Sequence, residues 1–306
     1  MTASVALGDD SRPVRRITVD AAGLTLSALL SEPEHTPPRA AVVALHGGGL
    51  NAGYFDARAR PGLSLLTLGS SLGYTVLALD RPGYGVSGER LPLGQRLADQ
   101  AASVVAALQD FASRHDTGAG ILLLAHSFGA KVALGTAAAL ADESLLGLDL
   151  SGIGHVYDGE RRDLPEAVRN GGWRRNWGPL HLYPPGAFRP GAVPAEPMPT
   201  HESADVAHWP DRFHDLAPRV RVPVRLTFAE HESWWRHDPD ALTELTGAFT
   251  SAPRVVVDRQ PHAGHNLSLG WAARSYHLRA LAFLEECLVP REINQGLSPC
   301  GTTGGI

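Results

Sequence analysis

Leu123-Leu124-Ala125-His126-Ser127-Phe128-Gly129-Ala130 closes the apolar run Ile121–Leu124 and leads into Lys131-Val132-Ala133-Leu134. The order is a short apolar run, a serine among small residues, then a helix-forming stretch, which reads as strand, tight turn and helix. A serine at the apex of such a turn exposes its hydroxyl. The same turn aims the amide of the next residue, Phe128, at the same point, giving a nucleophile with half of an oxyanion-binding site. The plainer reading is a helix N-cap. Ala125 and Gly129 go beyond what a cap needs, because small residues there permit a sharp turn and close strand–helix contact.

Outward from this turn, apolar runs alternate with helical spacing. Arg16–Asp20 and Leu24–Leu30 read as two strands joined at Ala21-Ala22-Gly23, an antiparallel hairpin. Ala40–Leu45, Tyr74–Leu79, Ile121–Leu124 and Leu145–Leu150 read as buried strands, as do Val222–Phe228 and Arg254–Val257 further on. Leu63–Leu72, Arg96–Arg114, Ala130–Leu140, Pro239–Phe249 and Trp271–Leu288 read as helices between or after them. Such alternation predicts an α/β fold: a mostly parallel sheet with helices on both faces, opened by the N-terminal hairpin. The rhythm breaks from His155 to Leu216, a stretch rich in Pro, Gly, Arg and Trp with weak helical patterns near Arg161–Arg169 and Ala204–Leu216. A segment this long within one domain is expected to be a lid or binding element. The expected organisation is a core of residues 14–154 and 217–289, an inserted lid over 155–216, and a flexible tail over 290–306.

Composition excludes several classes. Hydrophobic residues make up 43% and charged residues 19%, with a net charge of −5 and no basic run, which argues against a nucleic-acid partner. Cys287 and Cys300 have no short spacing and suggest neither a disulfide framework nor a metal motif. Met1–Asp10 lacks the basic start of a signal peptide, and no apolar stretch is long enough to span a bilayer. A soluble, cytoplasmic protein without a membrane partner is expected, acting on a small molecule; oligomeric state is open. Lys131 is the sole lysine, and the arginine bias is read as the mark of a GC-rich genome rather than of function.

Four segments fall at strand C-terminal ends, where open α/β sheets place their sites. His46-Gly47-Gly48-Gly49 follows the Ala40–Leu45 strand, and its glycine amides can approach a developing negative charge. Gly48, with Gly49 as neighbour, is the expected second oxyanion donor beside Phe128. The serine turn is the second segment. Ala229-Glu230-His231-Glu232 and His262-Ala263-Gly264-His265-Asn266 are the third and fourth. A serine nucleophile needs a base, and the base needs an orienting carboxylate. His265 is the expected base and Glu232 the expected acid; Glu230 and His262 are weaker candidates. Six tryptophans include Trp173, Trp177 and Trp209 in the expected lid and Trp234 and Trp235 just past the acid. With Tyr183 they suit a bulky apolar ligand, although plain packing of the lid onto the core would use the same residues.

The chain resembles the α/β-hydrolase fold superfamily of lidded serine hydrolases over nearly its whole length. The matching pieces are His46–Gly49, Asp80-Arg81-Pro82-Gly83-Tyr84-Gly85-Val86-Ser87, Ala125–Gly129 (alanine stands where the motif begins with glycine), Pro223–Glu232 and Gly264-His265-Asn266, in that order. The resemblance implies a structural turn at Asp80–Ser87, an acid at Glu232, and a catalytic order Ser127, Glu232, His265 along the chain. It implies a serine hydrolase of esters, thioesters or lactones that needs no metal and no organic cofactor. The scaffold also hosts lyases and cyclases, with acyl elimination or ring closure in secondary metabolism, and non-catalytic ligand-binding proteins.

Overall fold

The structure is a computed structural model that describes residues 13–140, 144–159 and 172–297. Eight strands form one sheet: β1 (Arg15–Ala21), β2 (Leu24–Ser31), β3 (Ala41–Leu45), β4 (Thr75–Leu79), β5 (Ile121–His126), β6 (Leu145–Ser151), β7 (Val224–His231) and β8 (Val255–Gly264). Their spatial order is β1-β2-β4-β3-β5-β6-β7-β8. The β1–β2 hairpin and the β2–β4 pairing are antiparallel, and every other pairing is parallel. This is the expected α/β architecture.

Strands β3, β4, β5 and β6 are buried at every residue. That follows from covering both faces, which turns each strand into a continuous apolar run rather than an alternating one. Alternation still sorts the side chains between two cores. Val43 and Leu45 pack with α2 (Leu97–Arg114) and α3 (Phe128–Ala139) on one face. Val42 and Ala44 pack with α1 (Leu65–Ser71) and the C-terminal helix on the other. Ser64 caps α1 by accepting the Thr67 amide.

The segment between β6 and β7 carries short helices, α4 (Trp173–Trp177), α5 (Thr200–Asp205) and α6 (Trp209–Leu216), joined by 3₁₀ turns. The helical pattern anticipated near 161–169 lies outside the described residues. After β7 comes α7 (Pro239–Gly247), capped by Asp238, which accepts the Ala241 amide.

The last helix, α8, runs from Ala273 to Leu297 with Pro290 inside it. A tail beginning at Pro290 was expected because proline removes a helical amide and clashes with the preceding turn. Side chains from elsewhere in the fold hold both sides of the break. Arg39 pairs with Glu285 before it and Glu292 after it, and Arg291 donates to the Ala119 carbonyl at 2.7 Å. Residues 290–297 are therefore helical, and the rest of the expected tail lies outside the described residues. Among the described residues no helix is long and apolar enough to cross a membrane.

Candidate active site

Ser127 stands between β5 and α3 with φ +52° and ψ −117°. A non-glycine residue at positive φ is strained, and such strain persists only where the surroundings impose it. Gly129 shows how. A Cβ at that position would lie 2.4 Å from the carbonyl oxygens of both Leu45 and His46, so the helix start is pressed against the end of β3. The Ser127 amide is tied to Ser151 O at 2.8 Å, which fixes the turn to β6 as well.

The predicted base and acid converge on this serine. His265 Nε2 lies 3.1 Å from Ser127 Oγ, and His265 Nδ1 lies 2.8 Å from Glu232 Oε2. A carboxylate only accepts, so Nδ1 carries the proton and Nε2 is left to accept from the serine hydroxyl. Glu232 Oε1 takes the amides of Ser233 and Trp234 at 3.0 and 2.9 Å. The carboxylate is thus held at both oxygens, and its turn is built by residues that follow it directly. The weaker candidates lie elsewhere: Glu230 and His262 are both exposed, and Glu230 accepts the His262 amide at 2.6 Å.

The amides of Phe128 and Gly48 border the same cavity as Ser127, and neither has a hydrogen-bond partner among the described residues. Gly49 is a correction. Its amide donates to Tyr84 Oη at 3.0 Å and is spent in holding the loop. The loop is also pinned by Arg81, whose Nε donates to His46 O at 2.7 Å and whose Nη2 donates to Gly47 O at 3.1 Å. With those carbonyls turned to the guanidinium, the Gly48 amide is left for the cavity. Arg81 forms a bidentate pair with Glu202 of α5 at 2.7 and 3.0 Å, and both side chains are 0% exposed. Tyr84 Oη donates to Glu202 at 2.8 Å, and Gln100 Oε1 accepts from Arg81 at 2.7 Å.

Two further histidines pack at the site in neutral form. Burial, with the nearby Arg81 charge, holds His46 well below its usual range, and its Nε2 accepts the Arg81 amide at 3.1 Å. Burial and then His265 hold His126 well below its usual range; its ring stacks on Tyr54 and lies 4.7 Å from the His265 ring.

The cavity has a volume of about 550 Å³, within the range that takes a small organic ligand. Trp173, Trp177, Trp234 and Trp235 line it, as expected. Trp209 and Tyr183 do not. Trp209 is wholly buried, donates to Gly154 O at 2.7 Å and packs on Phe213. Tyr183 is buried in a ring cluster with Trp177 and Phe188. Both are apolar packing of the 155–216 segment, the alternative the aromatic content always allowed. A second hollow of about 580 Å³ lies against β1, β2 and Asp80 but contains neither Ser127 nor His265.

A sequence model described as the alpha/beta hydrolase family matches residues 42–282. The chain belongs to this family. No curated protein matches it significantly. Solved structures share the family's fold at low identity. A soluble variant of monoglyceride lipase from Saccharomyces cerevisiae, in complex with a substrate analog, superposes with a TM-score of 0.68 at 14% identity, covering 94% of this chain and 99% of that one. E-2-(acetamidomethylene)succinate hydrolase gives 0.63 at 19%, covering 90% and 100%. The thioesterase domain from the curacin biosynthetic pathway gives 0.58 at 17%, covering 90% and 99%.

Within this family member, several site residues carried no sequence signal of their own. Glu202 lies in a stretch without strong periodicity, and only its burial against Arg81 reveals it. Gly152 follows β6 at φ +60°, and a Cβ there would meet His265 Cε1 at 2.8 Å and His126 Cε1 at 2.9 Å. Its carbonyl accepts Trp235 Nε1 at 2.8 Å. A glycine just past a strand was visible; its contact with the imidazole of a residue over a hundred positions later was not.

Proposed function

We propose that the protein is a serine hydrolase that cleaves an ester, thioester or lactone of a bulky apolar small molecule through an acyl-enzyme. The observation that carries this reading is the unbroken chain Glu232–His265–Ser127, with hydrogen bonds of 2.8 and 3.1 Å, ending beside the amides of Phe128 and Gly48, which have no partner among the described residues. Family membership supports a hydrolase-type enzyme.

Ser127 Oγ attacks the carbonyl carbon while His265 Nε2 takes its proton. Glu232 keeps the Nδ1–H tautomer and offsets the imidazolium charge. The Phe128 and Gly48 amides receive the oxyanion, and donors of this type contribute about 3–4 kcal/mol each to the transition state. His265 then passes the proton to the leaving group, and a water activated by the same imidazole releases the acid. The tryptophans of the cavity hold the apolar body of the substrate, and the segment between β6 and β7 walls the cavity.

A fluorophosphonate probe tests the activated nucleophile. Stoichiometric labelling that disappears in Ser127→Ala supports the proposal, and absence of labelling at neutral pH overturns it. Product analysis on turned-over acyl substrates then fixes the reaction class: alcohol plus acid is hydrolysis, whereas an alkene plus acid would move the enzyme to the lyases.

A further inference from the structure

Lys131, the sole lysine of the chain, is 4% exposed and lines the cavity that contains Ser127. It sits in the first turn of α3, the helix that begins just after the serine. Its Nζ donates to Tyr157 Oη at 2.8 Å, and that hydroxyl in turn donates to Val206 O at 2.9 Å. The rings of Phe128, Tyr157, Trp209 and Trp235 surround Nζ with centroids 5.2 to 5.4 Å away. Ring faces attract a cation, but they do not neutralise it.

Among the described residues no carboxylate pairs with this lysine. Glu202 is committed to Arg81, Tyr84 and Gln100, and Asp205 to Arg96 and the Leu97 amide. A buried charge without a counter-ion is costly, and an apolar residue among four rings would avoid that cost. A group placed this way has its missing anion delivered by whatever fills the cavity. Arg81, the neighbouring cation, already has its carboxylate, so among the described residues Lys131 is the one cation that the cavity lining offers to a ligand. That matches a monoanionic carboxylate and not a phosphate dianion.

We propose that Lys131 is the anion-recognition residue of the cavity and that the substrate carries a carboxylate which pairs with its ammonium while Ser127 attacks the carbonyl. The proposal rests on the serine-hydrolase reading and narrows it, from a bulky apolar acyl compound to one with an apolar body and a single acidic end. Ser127 and Lys131 line the same cavity, so one ligand can present its carbonyl to the first and its carboxylate to the second.

The charge state of Lys131 supplies a pH signature. Burial pulls its amine down to about 7, with Glu202 and Asp205 acting to raise it and Arg81 to lower it. The other titratable side chains among the described residues that line the cavity are Tyr157, His126, His265 and Glu196. Because the ammonium is the binding form, anion affinity is full below pH 7 and weakens about tenfold per pH unit above it.

The test compares para-nitrophenyl hemiglutarate with para-nitrophenyl valerate in the wild type, Lys131→Met and Lys131→Arg. The kcat/KM ratio of acidic to neutral ester is expected to fall at least about thirtyfold in Lys131→Met, chiefly through KM, and to recover in part in Lys131→Arg. In the wild type the same ratio is expected to decline with rising pH above 7. A ratio unchanged in Lys131→Met overturns the proposal. Should Lys131→Met fail to fold, a wild-type ratio that is flat from about pH 6 to pH 9 does the same. Binding of monomethyl glutarate, a monoanion with one ester end, to Ser127→Ala, followed by tryptophan fluorescence, separates the two readings. If the wild type hydrolyses neither ester, the hydrolase reading fails, and monomethyl glutarate binding that is present in Ser127→Ala and lost in Ser127→Ala/Lys131→Met still upholds the lysine; equal binding by both refutes it.

Discussion

Glu202→Ala would leave the Arg81 guanidinium buried without its carboxylate. Both groups are 0% exposed and joined by two hydrogen bonds, at 2.7 and 3.0 Å. Removing one partner of such a pair costs about 3–5 kcal/mol, because the remaining charge keeps its desolvation penalty. For a chain of this size each kcal/mol lowers the melting temperature by about 2 °C, so a drop of about 6–10 °C is expected. Arg81→Met/Glu202→Leu replaces the pair with apolar groups of similar volume and should recover part of that loss, the His46 and Gly47 carbonyls and the Tyr84 hydroxyl being left without these partners. Turnover should not recover with it. Arg81 also holds the His46 and Gly47 carbonyls, and without those bonds the Gly48 amide loses its fixed direction. Urea and thermal unfolding read the first effect, and kcat on an aryl ester reads the second. Glu202→Ala within about 1 kcal/mol of wild type would refute the picture of a desolvated pair. A double variant with both stability and full turnover would refute the loop-holding role of Arg81.

Glu232→Gln is expected to cut kcat by about 10²–10⁴, less than Ser127→Ala. The amide oxygen keeps the Ser233 and Trp234 donors, so its NH₂ faces His265 Nδ1 and forces the proton onto Nε2, where it blocks acceptance from the serine; unchanged turnover would show another acid at work. Gly129→Ala drives a Cβ to 2.4 Å from two carbonyl oxygens. It should both destabilise the fold and abolish probe labelling of Ser127, and wild-type labelling would show that the turn tolerates displacement. Stability should fall as pH drops below about 6.5, because His46, His126 and His277 are buried and held below their usual value, His277 at about 3. Each stays neutral in the folded chain and takes a proton on unfolding, costing up to about 1.4 kcal/mol per pH unit; urea midpoints that are level from pH 7 to pH 5 would contradict this.

The strand–helix rhythm was legible because buried parallel strands are continuous apolar runs, and β3, β4 and β5 are buried at every position. The three residues Ser127, Glu232 and His265 were legible for a related reason. Each sits at or just past the C-terminal end of a strand, so locating strand ends located them. Properties that depend on contacts between distant segments were not legible. Whether Gly49 or Gly48 offers its amide is decided by Tyr84, and whether an aromatic residue lines the cavity or fills the core depends on how the 155–216 segment folds back. Trp209 and Trp235 look alike in sequence, yet only Trp235 reaches the cavity. Asp149, an anion inside the buried strand β6, pairs with Arg225 on the adjacent strand at 2.6 Å, a partner no local pattern reveals. Lys131 is the sharpest case, since its rarity pointed only to codon usage until its ring-lined, unpaired position was seen.

The Arg81–Glu202 pair also changes what the 155–216 segment can be. Read as a lid, it would move as one piece over the site. Yet α5 supplies the counter-ion of the residue that fixes the oxyanion loop, and the same stretch supplies Val206, which accepts the Tyr157 hydroxyl beneath Lys131. Lifting α5 would expose Arg81 without its partner and loosen the lysine support in the same step, a cost of several kcal/mol before any substrate contact is made. The part from Gly172 to Phe188 carries no such burden, and its Trp173 is 52% exposed although it borders the cavity. The segment therefore divides by function. Residues around Thr200–Leu216 are expected to stay in place when a ligand enters, whereas the Gly172–Phe188 part, which brings Trp173 to the cavity, is not tied to the Arg81 pair.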